Sequence, residues 1–272
     1  MNILFRLINI FIFTLAFVSF IEIFAENQKR EPRAILSAIF WEKYNNESFS
    51  YAPWGNEMEK NATLINVTVG SSSLSRKFAY YGDGKLNFFN NQDFEELESE
   101  DDRTEKVSER KLIAEFDLPS SVGGTKEYLL LFLNKKKNGL WKIYPISFSE
   151  GDIPYGSYKF ISQSRSNLYL NFGSEKVSLT PGKSVVQQAK KEEGSRGISL
   201  KAMVQKNRGF SEIYSRKFTH SPKMRGIFFL GLDQDKLNVK RIVDVSRPIS
   251  SAFGYGLPRR NDTNQDEETN PE

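Results

Sequence analysis

Apolar and polar residues alternate with a period of two over much of the chain. Thr63 to Val69, Lys77 to Tyr81, Lys85 to Phe89, Leu112 to Phe116, Ser157 to Ile161 and Leu168 to Phe172 each send alternate side chains to one face. That is the period of a strand with one buried side. Ala34 to Trp41 is apolar almost throughout and reads as a buried strand. Ser184 to Val186, Gly197 to Val204 and Ser211 to Phe218 add three more. Turn residues punctuate these runs, as at Gly82-Asp83-Gly84 and Leu179-Thr180-Pro181-Gly182. Tyr128–Leu133 and Leu140–Ile146 flank Lys135-Lys136-Lys137-Asn138-Gly139 and predict a hairpin, because Asn and Gly both tolerate positive φ. Asn45 to Lys60, polar and holding Pro53 and Gly55, reads as a loop. A helical period is nowhere sustained beyond about two turns. Short strands at regular spacing with Gly/Pro/Asn turns predict an all-β chain built as sandwiches or small barrels.

The pattern is also said twice. Ile65-Asn-Val67-Thr-Val69-Gly70-Ser71 shares its apolar skeleton with Leu168-Tyr-Leu170-Asn-Phe172-Gly173-Ser174. Downstream, Leu130–Leu133 followed by Trp141–Ser147 is echoed by Ile227–Leu230 followed by Val239–Ser246. Each copy lies roughly 100 residues after its partner, about the size of one small β domain. The expectation is therefore an internal duplication: two tandem antiparallel β-sandwich-like domains, residues 31–150 and 151–247. The junction Ser147–Pro154 is too short for a free linker, so a fixed or hinge-limited arrangement is expected.

The ends differ from the middle. Arg6, an almost wholly apolar run from Leu7 to Phe24, and Ala25 before a polar stretch make residues 1–25 a secretory signal peptide. The run is near the lower length limit for a membrane span, so an uncleaved anchor stays open. The segment from Glu95 to Lys111 is dense in charge and reads as a solvated loop or short surface helix. Residues 248–272 have no apolar set to bury and are expected to be a disordered tail. Export, to a periplasm or beyond the cell, follows from the signal. The absence of any cysteine fits a bacterial envelope protein better than a stapled extracellular scaffold. Four Asn-x-Ser/Thr sequons, at Asn46, Asn61, Asn66 and Asn261, would matter only in a eukaryotic secretory pathway. The net charge of +4 is spread along the chain, without the basic stripe that nucleic acid requires. Membrane contact is expected only through the N-terminal segment.

Composition removes much chemistry. Cysteine nucleophiles and thiolate metal sites are impossible, and the one histidine, His220, sits in what reads as a solvated turn. Nucleotide-binding glycine motifs and the Gly-x-Ser-x-Gly elbow are absent. No cofactor or metal is expected. Paired carboxylates for glycan hydrolysis remain open, with Asp83, Glu115, Asp117 and Glu212 as unranked acids. The clearest ligand signal is Tyr51-Ala-Pro-Trp54-Gly55, where Tyr51 and Trp54 stand in a polar loop and offer rings to a sugar or a protein. The alternative is that Trp54 closes the open end of its own sandwich.

The Gly156-x-Tyr158-x-Phe160 opening, the Leu179-x-Pro181-Gly182 turn and the final hairpin resemble small β-sandwich accessory domains of exported bacterial proteins. The pattern is shared by many unrelated families and transfers no functional residue. The reading is a non-enzymatic, exported binding or structural protein whose partner is an envelope polysaccharide or an envelope protein. Two others stand beside it: a carboxylate-based glycan hydrolase with its site between the repeats, and an assembly subunit joined by β-strand pairing.

Overall fold

The computed structural model describes residues 31–56, 62–90, 111–119, 124–206, 209–234 and 236–246. The stretch read as a signal peptide, the charged stretch up to Arg110 and the stretch read as a tail lie outside these. Among the described residues, all regular elements are strands. In the N-terminal half they are β1 (Ala34–Phe40), β2 (Glu47–Tyr51), β3 (Ile65–Val69), β4 (Phe78–Tyr80), β5 (Lys85–Asn90), β6 (Leu112–Asp117), β7 (Lys126–Lys135) and β8 (Trp141–Ser147). In the C-terminal half they are β9 (Ser157–Ser162), β10 (Leu168–Phe172), β11 (Glu175–Leu179), β12 (Ser184–Gln188), β13 (Gly197–Lys206), β14 (Gly209–Thr219), β15 (Met224–Asp233) and β16 (Lys236–Val245).

Strands of the C-terminal half form two four-stranded sheets, ordered β11-β10-β13-β14 and β12-β9-β15-β16. Alternate residues of both meet in one core, including Phe160, Leu170, Phe172, Leu200 and Phe228. The N-terminal half pairs in the corresponding orders, β3-β2-β5-β6 and β4-β1-β7-β8. Here a single parallel contact, Ala114 with Trp141, joins β6 to β8 and makes one eight-stranded sheet. That sheet folds over its own core, where Phe49, Val69 and Phe88 meet Phe40, Phe132 and Trp141.

Three features depart from the sequence reading. Two long pairings, β1 with β7 and β9 with β15, are parallel, whereas alternation and hairpin turns lead one to expect antiparallel neighbours. β2 lies inside the stretch read as a loop; its inward residues Phe49 and Tyr51 are separated only by serine, too short an alternation to stand out. The two repeated phrases also fare differently. The β7/β8 and β15/β16 hairpins hold corresponding places in their sheets, but β3 is an edge strand and β10 an inner one. Any half-buried strand ending at a Gly-Ser turn carries that first pattern, so it does not specify position.

The described residues from Arg33 on form one compact body. A third core explains why. Ile39, Leu129 and Leu131 from β1 and β7 pack with Ile227, Phe229 and Ile242 from β15 and β16, joined by Phe148 and Ile153 of the connection. β7 and β15 thus bury both faces, Leu130 and Phe228 into their own halves and Leu131 and Phe229 into the shared layer. A strand buried on both sides needs a continuous apolar run, and these two have one.

Exposed strand edges do not combine length with neutrality. Among the edge strands β3, β4 and β12 are uncharged but five residues or shorter. The long ones carry charge, with Glu212, Arg216 and Lys217 on β14 and Lys240, Arg241 and Asp244 on β16. Short or charged edges are how proteins block strand addition.

Candidate functional site

Tyr51 and Trp54 part company in the structure. Tyr51 ends β2 with 0 % of its surface exposed, packed against Phe78 with ring centroids 5.1 Å apart. Its hydroxyl donates to the Ala79 carbonyl at 3.1 Å, and burial, with Tyr81 adding to it, pushes the phenol pKa far above its ordinary value. It is a core residue and presents nothing to a ligand, which corrects that half of the expectation. Trp54 is 40 % exposed. It stacks on Tyr81 with centroids 4.4 Å apart and planes at 28°. The loop is held beneath it: the Tyr81 amide donates to the Pro53 carbonyl at 2.7 Å and Gly55 to Ala52 at 3.1 Å. Gly55 takes φ +68°, and a Cβ on it would lie 2.7 Å from the Tyr80 hydroxyl. The result is a fixed two-ring platform.

His220 is buried, not solvated, at 7 % exposure. Its Nδ1 is 3.1 Å from the Tyr158 hydroxyl. Burial, then Lys191 and Arg241, hold its pKa below the usual histidine value. Arg241 in turn donates to the Tyr158 hydroxyl at 3.3 Å and to the Thr219 carbonyl at 2.8 Å. These contacts knit β9, β14 and β16 together and give the imidazole no carboxylate to orient it as a base.

Charge is concentrated where the halves meet. Arg225, 1 % exposed, opens β15 and donates to Glu127 of β7 at 2.7 Å, to Asp244 of β16 at 3.1 Å and to the Ile153 carbonyl at 3.4 Å. Phe148 and Tyr155 stack on its guanidinium at 4.5 and 4.7 Å. Lys77 lies 2.5 Å from Glu127 and 3.8 Å from Asp244, so two cations face two carboxylates. The sequence marks Arg225 only as a charge at the mouth of an apolar run.

Beside this joint the halves leave a groove of about 600 Å³. Leu131, Leu133, Ile161 and Phe229 form its floor. Trp41 stands edge-on to Phe229, centroids 4.8 Å apart at 82°. Behind it Lys240 donates to the Phe40 carbonyl at 3.0 Å and to that of Trp41, and caps the indole at 4.9 Å. Tyr144, 55 % exposed, rises from β8 on the other side. Glu42, Asn134, Lys142 and Gln163 supply polar groups. Among the described residues lining the groove, Glu42 is the one carboxylate, where a paired-acid mechanism needs two. Trp41 and Tyr144 were legible only as strand residues, because a groove between distant strands has no local signature.

Among the described residues, no group of three His, Asp or Glu side chains is placed to hold a metal ion. No protein-family model matches the chain, and no curated protein matches it. Among solved structures it is similar to one from Bacteroides uniformis ATCC 8492, described as a "putative cell adhesion protein". That similarity has 8 % identity and a TM-score of 0.19, over 79 % of this chain and 99 % of the other. At that score the likeness establishes neither fold nor ligand.

Proposed function

We propose that the chain is an exported, non-catalytic binding protein of the bacterial envelope, and that it takes a ring-bearing, polar segment of an envelope polysaccharide in the groove between its halves. The observation that carries this is the groove's composition. Apolar floor, aromatic walls at Trp41 and Tyr144, and a rim of amide, amine and a lone carboxylate suit a sugar, whose rings have an apolar face and a polar edge. The volume falls in the range of small-ligand sites. The single acid supports binding over hydrolysis.

The test is retention of the chain without residues 1–25 on immobilised envelope and plant polysaccharides, with Tyr144→Ala and Trp54→Ala beside the wild type. Tyr144→Ala is expected to weaken retention about tenfold, the value of one lost ring contact, and Trp54→Ala to leave it unchanged. Loss in Trp54→Ala alone would move the site to the Trp54–Tyr81 platform. Retention indifferent to both would remove the polysaccharide reading.

A further inference from the structure

The outer face of the sheet ordered β11-β10-β13-β14 carries a second site that the groove does not explain. Strand register sets its side chains in rows. Ser178, Tyr169 and Met203 stand opposite one another across β11, β10 and β13, and Lys176, Asn171 and Lys201 form the next row. Phe210, at the start of β14, is 61 % exposed and meets Tyr169 edge-on, centroids 4.7 Å apart at 77°. The first row and Phe210 line a depression of about 460 Å³. A second, of about 220 Å³, continues it past Lys176 and Asn171, which line both. The two depressions follow one another along the strands, aromatic at one end and polar at the other.

We propose that this face binds an acidic oligosaccharide, with sugar rings against Tyr169 and Phe210 and a sugar carboxylate at Lys176. Three observations select that occupant. An inward-facing role is excluded by alternation, since Leu168, Leu170 and Phe172 take the core side of β10 and leave Tyr169 and Asn171 outside. Half-buried Tyr169 and Met203 beside exposed Phe210 make one contiguous patch, which marks a contact surface rather than a scattering of surface apolar residues. A protein-interface core, however, is depleted in lysine, and here lysines flank Asn171 on both sides. Side chains on one face of a strand recur every two residues, about 6.6 Å, so a chain laid along β10 meets the row with Tyr169 first and the row of Lys176, Asn171 and Lys201 next.

The charges on the face identify the acid's place. Lys190 is paired with Glu175 at 2.9 Å, and Lys201 lies 4.0 Å from Glu212. Lys176 makes no ion pair among the described residues and stands on the wall shared by the two depressions. Among the described residues it is the one charged side chain lining the larger depression, whereas the smaller is also lined by Glu175 and by Glu192, which accepts from the Ser199 hydroxyl at 2.7 Å. Neutral glycans could use the rings but would leave that ammonium unmatched.

The experiment is affinity electrophoresis of the chain without residues 1–25 in gels containing a soluble polyuronate or a neutral β-glucan. The polyuronate is expected to retard the wild type and the neutral glucan not to. Phe210→Ala and Lys176→Gln should each weaken retardation about tenfold, with unchanged melting temperatures because both side chains are exposed. Lys191→Gln and Tyr144→Ala should match the wild type. Equal loss in Lys191→Gln would reveal undirected charge attraction and overturn the site. Loss in Tyr144→Ala alone would place the acidic ligand in the groove, and absence of retardation would dismiss this face while leaving the groove to its own test.

Discussion

Arg225 shows how one side chain sets the relation between distant strands. Its guanidinium is planar and rigid, so one residue can bind Glu127 and Asp244 at once and still offer both faces to Phe148 and Tyr155. Truncating it leaves two mostly buried carboxylates, 18 and 13 % exposed, with Lys77 alone to neutralise them. Breaking one side of a buried ion pair typically costs about 3–5 kcal/mol, and the remaining lysine puts Arg225→Ala at the lower end. Urea unfolding should show a lower midpoint with an unchanged slope, equivalent to about 3 kcal/mol. Arg225→Lys should recover only part of it, since an ammonium cannot fork. A loss below about 1 kcal/mol, the level of a surface pair, would mean that the cluster is ornamental. Residues of this kind are poorly legible in sequence. Tyr51 and Trp54 occupy one short segment with similar neighbours, yet one is core and the other surface. The difference comes from β2, whose pleat turns Tyr51 inward just before the chain leaves the sheet.

At the scale of elements, strands with long alternation or unbroken apolar runs were legible, and the hairpin at Asn138-Gly139 was placed by its turn chemistry. What escaped was pairing. Alternation states that a strand has a wet and a dry face; it does not state which neighbour lies beside it, and so β3 and β10 looked alike. Turn geometry holds more than the sequence displays. Gly173, between β10 and β11, has φ +60°, and a Cβ there would fall 1.9 Å from the Lys190 carbonyl oxygen, which accepts from the Ser174 amide. Gly182, between β11 and β12, has nearly the same φ, +68°, but open space around it. Gly182→Ala should therefore cost only the backbone strain, about 1 kcal/mol. Gly173→Ala must also displace a backbone segment, and about 3 kcal/mol is expected. Thermal melts of the two variants decide the matter: equal shifts would show that the Lys190 segment yields freely.

For the whole molecule, the shared apolar layer decides how the halves behave. Ile227, Phe229 and Ile242 would be bare if the C-terminal half stood alone, as would Ile39, Leu129 and Leu131 on the other side. Separating the halves also strips Arg225 from Glu127. Both costs fall on the same event, so neither half should persist once the other has unfolded. The three tryptophans report this from different places: Trp141 from the N-terminal core, Trp41 from the joint and Trp54 from the surface loop. Variants keeping Trp41 alone or Trp141 alone, with phenylalanine at the other two positions, should each give a single urea transition by fluorescence, at a midpoint that depends on which tryptophan was replaced. Circular dichroism, which follows the strands of both halves, should coincide with it in each variant. Coincidence would establish one cooperative body, with the groove beside Trp41 a rigid feature rather than a gap between moving parts. A Trp41 transition preceding the circular dichroism transition of the same variant would show the joint opening first. The groove would then change shape with the angle between the halves, and its ligand affinity would depend on how often the joint is closed.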